Sequence, residues 1–153
     1  MLFRSWWQVG WITDYLMSEI SARSNGLIDF PRGFITPKVG PHQPYGFATG
    51  KIFGESVNFW LPEHFVDLNN QQIDLLAAKS QDERDIYLML LNNSVKKQHT
   101  DLEIVSSHVG SDASLMDESG VLIQNVKLAH GKYSLTMPPL SLRVIKLKIV
   151  SNP

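Results

Sequence analysis

The sequence predicts an all-β protein: an antiparallel β-sandwich of seven to eight strands preceded by one N-terminal helix. Three observations lead there. An aromatic run with helical spacing opens the chain, a Pro/Gly-rich stretch follows it, and from Gly46 onward short apolar or alternating runs are separated by turn residues.

The helix comes first. Ser5 and Gln8 have the spacing of a capping box, in which a hydroxyl and an amide satisfy free backbone groups of the first turn. Trp6, Val9, Ile12, Leu16 and Ile20 recur at intervals of three and four, with Trp11 and Tyr15 widening the stripe. Asn25-Gly26 then supplies a left-handed stop, so a helix is expected over 6–24. Its aromatic load is unusual, since each ring buries on the order of 150–250 Å². Such a helix packs on the sheet that follows, closes a preceding domain, or offers a stacking platform for carbohydrate.

Between Leu27 and Tyr45 six prolines and glycines (Pro31, Gly33, Pro37, Gly40, Pro41 and Pro44) exclude a regular helix or central strand. Long structureless stretches usually cover a site or join two units. The expected division is therefore 1–45, an aromatic helix with its connection, and 46–153, the sandwich.

Strands are expected over 47–53, 56–61, 73–79, 85–91, 100–106, 121–127, 132–137 and 140–150. The joining segments Gly54-Glu55, Asn92-Asn93-Ser94, Gly110-Ser111-Asp112 and Ala129-His130-Gly131 are rich in residues that tolerate turns. In the last strand Leu140, Leu142 and Val144 alternate in one phase, and Ile145, Leu147 and Ile149 in the other. A β-bulge near Val144-Ile145 would produce that slip.

Composition removes several kinds of function. A chain of 153 residues that is 43% hydrophobic and 19% charged can bury a single core. A formal charge of −1 provides no global field for nucleic acid or an anionic membrane. Lys96-Lys97-Gln98-His99 reads as a solvated turn. Zero cysteines leave no disulfide, thiolate zinc site or thiol nucleophile. The first residues lack the pattern of a signal peptide, and no run of about 18 apolar residues predicts a membrane span.

No catalytic residue, metal site or cofactor is expected from the motifs. Glycoside hydrolysis needs two carboxylates facing a sugar across about 5–9.5 Å. Asp82, Glu83 and Asp85, like Asp117 and Glu118, cluster instead in polar turns. His42, His64, His99, His108 and His130 have no ligand spacing, and Glu63/His64 is an adjacency without a third group. The candidate ligand contacts are Trp60, Tyr45, His42 and Arg32, because flat aromatic faces stack on sugar rings and polar neighbours can line a pocket. Alternation sets Phe59 with Val57 and Leu61, leaving Trp60 on the other face. There Trp60 lies under the helix or the Pro-rich loop, or meets a sugar or a neighbouring domain.

Two stretches carry a family likeness. Asp85-Ile86-Tyr87-Leu88-Met89-Leu90-Leu91-Asn92-Asn93-Ser94 resembles the apolar strand ending in Asn and a polar turn of C-terminal sandwich modules in bacterial glycoside hydrolases. The stretch from Lys132 to Ile145, with Leu135-Thr136-Met137-Pro138-Pro139-Leu140-Ser141 at its turn, is similar to their closing hairpin. This resemblance implies a non-catalytic accessory module whose partner is the catalytic domain of the same polypeptide. It also implies a periplasmic or extracellular parent. Trp6, Trp7, Trp11 and Tyr15 would form the domain interface. A carbohydrate-binding module holding polysaccharide directly is the alternative, followed by a small glycan-active enzyme with its site in the Arg32 to Glu63 region.

Overall fold

The computed structural model describes residues 6–30, 46–60, 65–105 and 108–150; the side chains of 6–14, 46–49 and 60 lie outside that description. Among the described residues are helix α1 (Trp6–Arg23) and eleven strands. These are β1 (Ile28–Asp29), β2 (Gly46–Ile52), β3 (Glu55–Trp60), β4 (Val66–Leu68), β5 (Ile73–Ser80), β6 (Asp85–Asn92), β7 (Gln98–Ile104), β8 (Val109–Met116), β9 (Leu122–Lys127), β10 (Lys132–Met137) and β11 (Ser141–Ile149). One sheet has eight strands in the order β1-β2-β3-β5-β6-β11-β8-β9; the other has three, β10-β7-β4. Every pairing is antiparallel. The fold is the all-β, sandwich-like architecture with an N-terminal helix that the sequence predicts.

The large sheet is covered on both faces, and β6 shows why. All eight of its residues are buried. Tyr87, Met89 and Leu91 face one way, joining Leu16, Met17 and Ile20 of α1 together with Phe59, Leu142 and Val144. Ile86, Leu88 and Leu90 face the other way, against Leu102, Ile104, Leu135 and Met137 of the small sheet. Burying each such side chain contributes about 1.5–3 kcal/mol, so a strand sandwiched between two cores reads as a continuous apolar run.

The same double coverage corrects the expected bulge in β11. Its ladder to β6 runs without a break from Ser141↔Asn92 to Lys148↔Asp85. Leu142 and Val144 point to the helix-side core, while Ile145 and Leu147 point to the small sheet. The change of phase marks a change in which face is covered. The irregularity that does occur lies between Leu147 and Ile149, on the β8 side.

Gly110-Ser111-Asp112 is not a turn but part of β8, which pairs with both β11 and β9. Only Ala113 and Leu115 of that strand are buried, so its apolar alternation is too faint to outweigh weak strand formers. The short strands β1 and β4 likewise pass below any pattern signal.

Several turns behave as their composition suggests. Phe53 and Gly54 both have positive φ, 50° and 87°, which gives the β2–β3 hairpin the twist of a type I′ turn. Asp82 and Glu83 lie in the β5–β6 turn, where the buried Ser80 hydroxyl accepts the Arg84 and Asp85 amides. Asp117 accepts the Ser119 and Val121 amides in the β8–β9 turn.

Candidate docking junction

The end of α1 is built by a Schellman motif. The Gly26 amide donates to the Ser21 carbonyl at 2.9 Å, and the Asn25 amide to Ala22 at 3.2 Å. Asn25 takes the left-handed conformation, φ 53°. The buried Ser24 hydroxyl donates back to the Ser21 carbonyl and accepts the Ile28 amide at 3.0 Å, turning the chain directly into β1. Residue Ile28 then pairs with Ile52 of β2, so the helix end is attached to the sheet within five residues of its last turn.

Side chains complete the joint. The Arg23 guanidinium donates to the Leu140 carbonyl and to the Asn93 side-chain oxygen, and stands 3.6 Å from Glu19 one turn back. The Asn93 amide group in turn donates to the Tyr15 hydroxyl. Desolvation, with the charges of Glu19 and Asp74 adding to it against Arg23, holds the Tyr15 phenol above its usual range. Asn93 belongs to the β6–β7 turn and Leu140 to the β10–β11 turn, so the helix grips both.

Those two turns are themselves fastened together by Asn92, which is fully buried. Its Nδ2 donates to the carbonyls of Lys96 at 3.0 Å and Pro138 at 2.8 Å, and its Oδ1 accepts the Ser94 amide at 3.0 Å. The Leu140 amide donates to Ser94. Beside the joint lies an open groove of about 640 Å³ floored by Ile123, Pro138, Pro139 and Leu140. Arg23 and Arg143 stand over it, with Arg143 3.5 Å from Glu118.

Of the residues expected at a domain interface, Tyr15 meets Asn93 of this chain's own β6–β7 turn, while Trp6, Trp7 and Trp11 lie on the same helix with side chains outside the described set. Among the ligand candidates, Arg32, His42 and Tyr45 fall outside the described residues, as does the Glu63/His64 pair. Trp60 ends β3, its backbone paired opposite Gly46 and Ala77. Sequence reasoning missed Arg23, Asn92 and Asn93 as joint-formers. A basic residue in the last helical turn and paired asparagines closing an apolar strand were the available signals.

A second polar cluster lies on the outer face of the small sheet. Asp101 accepts from Ser134 at 2.6 Å and from Asn69 at 2.9 Å, and is 3.3 Å from His99, whose other ring nitrogen meets Thr136. These contacts, the Ser134 hydroxyl first, hold the Asp101 carboxyl below the usual carboxylate range. Serine, histidine and aspartate occur together here in the wrong order for nucleophilic catalysis: the hydroxyl proton goes to the carboxylate, and the histidine is not positioned as its base. Among the described residues no group of three or more His, Cys, Asp or Glu side chains converges to hold a metal, and no helix is long and apolar enough to cross a membrane.

No family model matches the chain, and no curated protein matches it. Solved structures with partial likeness include a family 30 endoxylanase from Clostridium papyrosolvens, 10% identical over 52% of this chain and 21% of that one, with a TM-score of 0.45. A family 30 subfamily 8 xylanase from Clostridium acetobutylicum is 16% identical over 62% and 24%, TM-score 0.46. A bifunctional glucanase-xylanase from a metagenome library is 14% identical over 72% and 20%, TM-score 0.46. The chain therefore spans about a fifth to a quarter of the solved chains it resembles. Likeness at this level does not carry their activities across.

Proposed function

We propose that the chain is a non-catalytic sandwich module of a larger carbohydrate-active enzyme, and that α1 docks it to the catalytic domain. The observation that carries this reading is the clamp of Arg23 and Tyr15 on Asn93 and Leu140. A helix secured at its C-terminal end by such contacts transmits the position of whatever packs along its first turns, where Trp6, Trp7 and Trp11 lie. In this reading residues 1–45 supply the joint and 46–153 the sandwich.

The resemblance of two stretches to the closing strands of glycoside hydrolase modules supports the same assignment. The first is β6; the second runs from β10 in the three-stranded sheet into β11, so it crosses between the sheets where the resemblance implied a closing hairpin, and Asn92 at the end of β6 bonds the Pro138 carbonyl in that crossing turn. An immunoblot of the source cells with antibody against this chain tests the proposal. A band several times larger than 17.3 kDa is expected; a band at 17.3 kDa alone overturns the accessory-module reading.

A further inference from the structure

We propose that Asn25-Gly26, the stop that ends α1, is a site of spontaneous deamidation gated by the joint: when the helix end opens, the cap converts one way to aspartate or isoaspartate, and α1 loosens from the sheet. The reaction needs no co-reactant but water. The Gly26 peptide nitrogen, its proton lost to solvent hydroxide, bonds to the Asn25 side-chain carbonyl carbon. That carbon's bond to the amide nitrogen breaks, and the nitrogen takes a proton from water and leaves as ammonia. A second water opens the five-membered imide at either carbonyl, so the chain continues through the α-carboxyl or, as isoaspartate, through the β-carboxyl.

Asn25 is the asparagine best placed for it. The residue is exposed, and Gly26 brings no side chain that would obstruct the attacking nitrogen. The space where a Cβ would stand on Gly26 has nothing within 4 Å. Other asparagines are held. The side-chain amides of Asn69, Asn70, Asn92 and Asn93 each donate to a partner. Asn58 and Asn125 stand within β3 and β9, each followed by a bulkier residue, Phe59 and Val126, that hinders the approach. Asn25 has no such anchor among the described residues.

The closed cap holds the reaction back. The Gly26 amide donates to the Ser21 carbonyl at 2.9 Å, so the nitrogen that must attack has its proton committed to the helix. Asn25 is itself fixed in the left-handed conformation, φ 53°. Conversion therefore follows the fraction of chains whose helix end is open, as amide exchange does. Arg23 sets that fraction, because its guanidinium ties the last turn to Leu140 and Asn93. The product cannot rebuild the cap. It places a carboxylate at the C-terminal end of α1, where the helix dipole is negative, and isoaspartate adds a backbone atom inside the ring that the Schellman bonds close. The attachment of α1 to its own sheet is all that this device requires, so it does not depend on the module's place in a larger enzyme.

Incubation of the 153-residue chain in mildly alkaline buffer, followed by mass spectrometry of its proteolytic peptides, tests this. The expected result is deamidation at Asn25 ahead of every other asparagine. Asn25→Gly, which keeps the left-handed cap and removes the amide, should abolish it. Arg23→Met should speed it about tenfold, the factor that a joint weakened by about 1.4 kcal/mol gives. Far-ultraviolet circular dichroism establishes that the variants fold. Low urea concentrations supply a second reading on the unmodified chain, in which deamidation and Gly26 amide exchange should rise together. Converted chains, isolated by ion exchange, should exchange faster over residues 15–24 than unconverted ones. An Asn25 that stays intact, or converts no faster than the other asparagines, overturns the proposal. So does a rate that a folded Arg23→Met leaves unchanged, a rate that fails to follow Gly26 exchange in urea, or a converted chain whose helix end is as well protected as before.

Discussion

Asn92 donates through Nδ2 to the Pro138 carbonyl at 2.8 Å, a bond that crosses from the end of β6 to the turn entering β11. The same amide group serves the Lys96 carbonyl, and its Oδ1 takes the Ser94 amide. One fully buried side chain therefore satisfies backbone groups of two turns that are more than forty residues apart in sequence. Those two turns are the ones that hold Arg23.

Asn92→Leu keeps the volume and removes the donors, leaving buried carbonyls without partners. Each such orphan costs about 1–3 kcal/mol, and the expected loss is about 2–4 kcal/mol. Urea denaturation measures it directly. A change below the scatter of the method would show that water or a relaxed turn replaces the amide.

Arg23→Met retains the apolar stem of the side chain and removes the guanidinium that reaches Leu140 and Asn93. Loss of the clamp should release α1 before the sheet unfolds, at a cost of about 1–2 kcal/mol. Hydrogen exchange should quicken across residues 15–24 and stay slow in β6. Equal acceleration in both would mean that helix and sheet open as one unit, contrary to a separable joint.

The sequence reveals the fold where one periodicity dominates and obscures it where two environments overlap. α1 ends within one residue of its expected boundary, because the apolar stripe and Asn25-Gly26 both act locally. β6 is legible because both of its faces are apolar. That property misleads in β11, where an unbroken ladder carries an apparent slip from one covered face to the other. β8 is hidden because its two buried residues, Ala113 and Leu115, are surrounded by residues that also build turns. The joint was legible only as an aromatic helix, since the bonds from Arg23 to Asn93 and Leu140 span 70 and 117 residues and follow from tertiary placement.

Ser134→Ala should move the Asp101 titration. The Ser134 hydroxyl is the largest influence holding that carboxyl low, with His99 and Asn69 adding to it. A depressed folded value means that the stabilisation is present above the ordinary aspartate value of 3.8 and is lost as pH falls through the folded value. Carboxyl NMR of the variant should show Asp101 titrating closer to 3.8. An unchanged titration would assign the depression to His99 and Asn69 alone.

Gly131 offers a backbone test. It sits at φ 76° in the turn between β9 and β10, beside His130 at φ 54°. A Cβ added there would lie 2.7 Å from the Ile104 carbonyl oxygen, while the Gly131 carbonyl accepts the Ile104 amide. Gly131→Ala combines left-handed strain with a backbone collision, and should cost at least about 1–2 kcal/mol. Thermal unfolding checks this, with Gly54→Ala as the comparison: it also has positive φ, but its Cβ would meet nothing within 4 Å. Similar losses in both would leave the Ile104 contact without effect.

Tyr87 should make the fold sensitive to alkali. Its hydroxyl donates to the Glu55 carboxylate, and the Lys146 ammonium lies 5.6 Å from the ring centre. Burial raises the phenol most, followed by the Glu55 hydrogen bond and the charges of Glu55, Asp85 and Asp82. The folded chain therefore holds this proton more tightly than the unfolded chain does. Its stabilising effect is complete below the ordinary tyrosine value of 10.0 and is lost as pH rises above it toward the folded value. Urea midpoints measured on the alkaline side should fall with pH in the unmodified chain, and Tyr87→Phe should flatten that slope. The variant also strands Glu55 without its donor, so its stability near neutrality should drop modestly while its alkaline dependence weakens. If the two slopes coincide, the phenol ionises in the folded state as freely as in the unfolded one, and the Glu55 contact does not hold the proton.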